Sequence, residues 1–154
     1  MNITDILLPE SVRSVSSISS KKRLFQELAD LASASCNLPS ADVFEALQER
    51  ESLGPTGVGQ GVALPHARLD SLDKVVAMFL RLDKAVDFDS ADRQPVDLFF
   101  CLLAPTDAGV EHLKALALVS RTMRVAQNCA KLRANDEAST IYTILTDAES
   151  IKAA

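Results

Sequence analysis

The run Val96-Asp97-Leu98-Phe99-Phe100-Cys101-Leu102-Leu103 is apolar at every position but Asp97. A strand with one face in water alternates apolar and polar residues with period two, so a run this continuous must be covered on both faces. It therefore demands a sheet held between two layers, and the flanking sequence offers helices for both. Ser20 is a suitable N-cap for a helix whose apolar stripe includes Leu24, Leu28 and Leu31, with Phe25 and Ala32 beside it. A second helix is expected from Ser40, carrying Val43, Phe44 and Leu47; Pro39 separates the two and Gly54-Pro55 stops the second. Strands are expected at 61–65 and 74–82, and Ala85-Val86-Asp87-Phe88 leads through an Asp-rich turn to the apolar run. Helices are expected again over about 110–125, around 129–132 and over about 137–146. The expected fold is an α/β single-domain sandwich over residues 1–154, with its core at about 3–146. Its mixed sheet of four or five strands would be flanked by helices on both faces.

The 154 residues suit one domain, which at this size buries about 68–70% of the surface of its unfolded chain. Charged residues make up 24% and hydrophobic residues 47%, a globular balance that excludes disorder and coiled coil. The net charge of -5 argues against nucleic acid as the main partner. Cys36, Cys101 and Cys129 are odd in number and scattered, which fits a reducing compartment better than a disulfide framework. The opening MNITDILLPES lacks the basic start and apolar stretch of a signal peptide, and no run approaches the 18 or so apolar residues that span a bilayer. The expectation is a cytoplasmic protein without membrane insertion.

Four of the five glycines fall in the segment Gly54-Pro55-Thr56-Gly57-Val58-Gly59-Gln60-Gly61, which leads through Val62-Ala63-Leu64-Pro65 to His66. Glycine lets backbone approach a ligand closely and expose its N–H groups, so the loop suits an anion; it equally suits a tight connection. Two nucleotide motifs fail here. Gly54 and Gly59 are followed by Gln60-Gly61 rather than Lys and Ser or Thr, and Gly57-x-Gly59 leads into a strand-like run instead of a helix. Pro65 restrains the backbone just before His66, so one ring nitrogen can be oriented by a carbonyl while the other stays free to react.

His112 shares a helical stripe with Leu116, Val119 and Met123 and so faces inward near a helix N-terminus, where anions are favoured. Only these two histidines occur, and a shared site accounts for both special settings. Arg50 ends the stripe of Val43 and Leu47 just before the glycine loop, and its planar fork matches phosphate oxygens. An ordinary pairing of Arg50 with Glu49 or Glu51 is an equal alternative from spacing alone. A metal held by both histidines and Asp70 or Asp107 is the main chemical alternative, without any established ligand spacing to support it. Cys101 lies in the most apolar strand, where a thiol is inert.

The stretch from Arg50 through His66 to Ala67-Arg68 resembles the active-site signature of enzyme IIA proteins of the mannitol/fructose type. These belong to the bacterial phosphoenolpyruvate-dependent phosphotransferase system. Val86-Asp87-Phe88, Gln94-Pro95-Val96-Asp97-Leu98-Phe99-Phe100, Leu103-Ala104-Pro105 and His112-Leu113 resemble its pattern too, and the likeness runs from residue 3 to about 146. Residues 3–9 and the helix start Ser20-Lys21-Lys22-Arg23 are most similar to its nitrogen-regulatory branch. The resemblance implies a mixed sheet flanked by helices, with phosphoryl transfer onto His66 Nε2, assisted by His112 and Arg50. It gives the anion-binding loop to Thr56, Gly57, Gly59 and Gly61, and it implies neither metal nor cofactor. Gln60 and Pro55 depart from the residues common in the family, asparagine and serine. The implied donor is a phosphorylated histidine-carrier protein, and the implied targets include potassium transporters or sensor kinases. Two alternatives accompany this: a sugar-specific IIA passing phosphate to a separate IIB, or a non-catalytic regulatory binding module. The chain contains neither a permease nor a IIB domain, which favours regulation.

Overall fold

Strand β6 (Val96–Pro105) is the axis of the sheet, and its side chains alternate between two separate cores. Phe99, Cys101 and Leu103 enter one core, Leu98, Phe100, Leu102 and Ala104 the other, and all seven are fully buried. The computed structural model describes the backbone of residues 1–153 and the side chains through Asp147. The order along the chain is α1 (Ile3–Ile6), β1 (Leu7–Val15), α2 (Lys21–Cys36), α3 (Ser40–Ser52), β2 (Gly57–Gly59), β3 (Val62–Ala63) and β4 (His66–Leu69). It continues with β5 (Val76–Val86), β6, α4 (Val110–Arg124), α5 (Ala126–Arg133) and α6 (Ala138–Ala153).

The first core receives Leu24, Leu28 and Leu31 from α2 and Val43 and Leu47 from α3. The second receives Ile3 from α1, Val119 from α4, Leu132 from α5 and Ile141 and Leu145 from α6. The sandwich is thus α/β with helices on both faces, as the doubly apolar run requires. Ser20 caps α2 by accepting the Arg23 N–H at 3.1 Å, and the chain leaves that helix through Asn37 in the left-handed region.

The sheet has six strands in the order β1-β5-β6-β3-β2, with β4 also on β6, rather than four or five. Of the expected strand at 61–65 only Val62–Ala63 pairs, as β3; β4 follows at His66–Leu69 as an addition, and both are parallel to β6. The break falls at Leu64-Pro65, where proline has no N–H for the ladder. The further additions are β2, within the segment read as a glycine loop, and β1, an edge strand parallel to β5 whose register shifts between Leu7 and Val12. Pro9 and Glu10 interrupt its apolar pattern, which an edge tolerates and a central strand does not. α6 also runs beyond 146, to Ala153.

One charged side chain on β5 joins sheet to helix. Arg81 is 7% exposed and donates from Nε to the Leu132 carbonyl at 2.9 Å and from Nη2 to that of Arg133 at 2.6 Å. It adds charged donors to carbonyls in the last turn of α5, where intrahelical donors run out; the Leu132 carbonyl also accepts the Asn135 N–H at 3.5 Å.

Candidate active site

The break between β3 and β4 has a direct effect on His66, the first residue of β4. The Leu64 carbonyl accepts the His66 Nδ1–H at 2.9 Å. A carbonyl can only accept, so the proton sits on Nδ1 and the lone pair on Nε2. Arg50, near the end of α3, donates its Nε–H to that lone pair at 3.3 Å and its Nη1–H to the Gly54 carbonyl at 3.0 Å. Arg50 therefore pairs with neither Glu49 nor Glu51.

His112 lies in the first turn of α4 and is 5% exposed, with Nε2 buried and without a hydrogen-bond partner among the described residues. Its ring stands edge-on to that of His66, the centroids 5.7 Å apart. A cavity of about 600 Å³ opens onto Arg50, His66, Arg68 and His112. Arg68 is exposed and held by the Thr106 carbonyl at 2.9 Å.

Burial pushes the His66 imidazole below its ordinary pKa; the Leu64 carbonyl opposes this, Arg50 adds to it, and Glu51 opposes it weakly. Burial also lowers His112, helped by the nearby His66 and Arg68. Both rings are thus neutral, and so able to offer a lone pair, over more of the acid range than free imidazole. Folding that disfavours protonation makes the unfolded chain the better proton acceptor, so stability must fall as pH drops below the ordinary imidazole range. Urea midpoints measured from above neutrality to mildly acidic pH should show this decline, and it should be weaker in a His66→Gln/His112→Gln double variant. Equal declines in the two proteins would show that neither ring carries the linkage.

The glycine loop is placed elsewhere. β2 and β3 form a hairpin whose turn holds Gly59 at φ 95°, Gln60 at 61° and Gly61 at 77°. A Cβ on Gly61 would lie 2.5 Å from Arg133 Nη2, which donates to the Gln60 carbonyl at 2.7 Å. The Gln60 N–H already meets Asp92 at 3.2 Å. Gly57, packed where a Cβ would strike Ser90, Gly59 and Gly61 do not line the cavity at His66, and neither does Thr56. Gly59 and Gly61 serve a left-handed turn tied to β6 and α5 by Arg133, which also grips Asp97 at 2.9 Å.

Thr56 is committed to Glu51, a residue whose role sequence reasoning missed. Thr56 donates its hydroxyl and its N–H to the Glu51 carboxylate, at 2.5 and 3.1 Å. Glu51 lies in the stretch that resembles the family signature, but its partner is not marked by the linear sequence, because the Lys21 that pairs with it lies thirty residues away.

Among the described residues, no three His, Cys, Asp or Glu side chains are grouped to hold a metal. Asp70 instead accepts the Thr106 hydroxyl at 2.5 Å. Cys101 is fully buried and its thiol is pushed far up by desolvation, which leaves it inert as a nucleophile. No described helix is long and apolar enough to cross a membrane.

The chain matches the family model of the phosphoenolpyruvate-dependent sugar phosphotransferase system, EIIA 2, over residues 5–148. It is 48% identical to a nitrogen regulatory protein of Bradyrhizobium diazoefficiens over 145 residues, covering 94% of this chain and 95% of that one. It is 39% identical to the nitrogen regulatory protein of Escherichia coli strain K12, covering 97% and 92%. The crystal structure of nitrogen regulatory protein IIA-Ntr from Neisseria meningitidis superposes with a TM-score of 0.86 at 38% identity, covering 94% of this chain and 99% of that one. A match over nearly the whole length in sequence and in fold leads to one conclusion: the chain belongs to the EIIA 2 family of the phosphoenolpyruvate-dependent sugar phosphotransferase system.

Proposed function

We propose that this chain is a phosphoryl carrier, accepting the group on Nε2 of His66 from a phosphorylated histidine-carrier protein and acting on regulatory partners according to its phosphorylation state. The observation that carries the reading is the Leu64 carbonyl on His66 Nδ1, because it leaves the Nε2 lone pair as the ring's nucleophile. The lone pair attacks phosphorus in line with the P–N bond of the carrier's phosphohistidine. That bond breaks, its electron pair returns to the carrier imidazole, and an Nε2–P bond forms. The Nδ1 proton stays on His66, where the Leu64 carbonyl stabilises the positive charge that the ring gains.

Arg50 gives up its contact with Nε2 as the phosphoryl group arrives and donates to the equatorial oxygens, joined by the unpartnered Nε2 of His112. Leu53, which lines the cavity, and Val110 and Leu113, on either side of His112 in α4, are large apolar side chains in solvent; they suit the docking of a protein donor. The name shared by the relatives, nitrogen regulatory protein, supports regulation as the output; potassium transporters or sensor kinases are the class of target that we propose for it.

The test is incubation with phosphoenolpyruvate, enzyme I and a histidine-carrier protein, followed by nitrogen and phosphorus NMR of the product. The expected result is one acid-labile phosphoryl group on Nε2 of His66. No label, with the carrier active on a control protein, would overturn the carrier reading.

A further inference from the structure

The last turn of α3 holds a carboxylate of the wrong sign. Glu51 is the penultimate residue of the helix, where the partial negative charge of the exposed carbonyls disfavours an anion. Its side chain is nevertheless only 6% exposed. A carboxylate tolerates that only with charge and hydrogen-bond partners, and Glu51 has both. Lys21 Nζ, from the first residue of α2, lies 2.9 Å from Oε2 and is steadied 4.7 Å above the Phe88 ring. The Thr56 N–H donates to Oε2 at 3.1 Å and the Thr56 hydroxyl to Oε1 at 2.5 Å.

These bonds clamp both ends of the short connection that leaves α3. Gly54 lies inside it, and the Gly54 carbonyl is one of the two anchors of Arg50, at 3.0 Å from Nη1. The other anchor is His66 Nε2 itself, at 3.3 Å from Nε. When a phosphoryl group takes the Nε2 position, only the Gly54 anchor remains.

We propose that Glu51 is a positioning residue for Arg50: by clamping Thr56 and Lys21, it fixes the Gly54 carbonyl that aims the guanidinium at Nε2 of His66. The inference rests on the reading of His66 as phosphoryl acceptor and adds a residue that never touches the phosphoryl group. The electrostatic influence of Glu51 on the His66 imidazole is consistent with this closeness.

The test uses Glu51→Gln, which removes the charge, and Thr56→Val, which keeps the shape of Thr56 and removes only its hydroxyl. Rapid-quench phosphotransfer from the carrier protein should slow by roughly 10- to 100-fold in Glu51→Gln and by less in Thr56→Val, while affinity for the carrier stays unchanged. In an Arg50→Ala background, Glu51→Gln should add no more than about twofold, because residues acting through one group are not additive. The nitrogen resonance of His66 Nε2, which reads the hydrogen bond from Arg50, should move in both single variants.

Wild-type rates with an unmoved resonance would overturn the proposal. So would a full additive loss in the Arg50→Ala background, which would make Glu51 a brace independent of Arg50. Should Glu51→Gln unfold, Thr56→Val decides on the same rates and resonance. Failure of wild type to accept any phosphoryl group would sink the carrier reading instead, and the resonance arm would still report whether Glu51 holds Arg50.

Discussion

Replacement of His66 by alanine is expected to abolish phosphoryl acceptance while leaving the fold in place. His66 is the ring whose Nδ1 is tied to a carbonyl and whose Nε2 faces both an arginine and a cavity. His112 is no substitute: its Nε2 is buried, and at 5% exposure the ring cannot meet a donor protein in line. Loss of the nucleophile leaves no alternative route, so the effect is total rather than graded, unlike the loss of a charge-stabilising donor, which typically slows a step about 10²–10³-fold. His66 is only half-buried, so its removal creates little void, and the urea midpoint should stay near that of wild type. Intact-mass analysis after incubation with the phosphorylated carrier gives the answer. A label persisting on the variant, or moving to His112, would displace His66 as acceptor.

The largest effect on stability is expected at Phe99. This ring is fully buried in the core between the sheet and α2–α3, 5.2 Å edge-on from Phe88, which in turn meets Phe25 at 5.5 Å. Phe99→Ala removes one end of this aromatic chain and leaves a cavity that β6, hydrogen-bonded along both edges, cannot collapse to fill. The expected loss is about 3–5 kcal/mol. Against a total of about 5–15 kcal/mol for a natural domain, that is a large fraction. Urea unfolding followed by far-UV circular dichroism measures it through the midpoint. A shift equivalent to less than about 1 kcal/mol would mean that the core repacks, contrary to the close packing expected of such sites.

Helices α2 to α6 were legible because their signals are local, whereas the four-residue α1 was not read. Ser20 before a Leu24-Leu28-Leu31 stripe and Pro39-Ser40 before Val43-Leu47 each combine a boundary residue with helical spacing, and α2 and α3 begin where these place them. The layered sandwich followed from one strand with no wet face. β1 was not legible, because Pro9 and Glu10 break its pattern and its support comes from pairing with β5, some seventy residues later in the chain. The split between β3 and β4 was hidden for a related reason: Pro65 marks a missing donor, but only the ladder of β6 shows that the chain resumes pairing at His66.

The candidate site divides along the same line. His66, His112 and Arg50 stood out by residue type and by local setting, and the fold brings them to one cavity. Gly59 and Gly61 also stood out, yet they form a turn that Arg133 fastens to β6 and α5, away from that cavity, whereas the Gly54 carbonyl holds Arg50. Local sequence thus determined helices α2 to α6, the two-sided sheet and the reactive residue types, since periodicity, capping and proline act over a few residues. Strand order, the wrong-sign carboxylate of Glu51 and the direction of each ring nitrogen were decided only by tertiary structure. Each depends on a hydrogen bond or ion pair between groups whose separation along the chain carries no signal until the fold closes it.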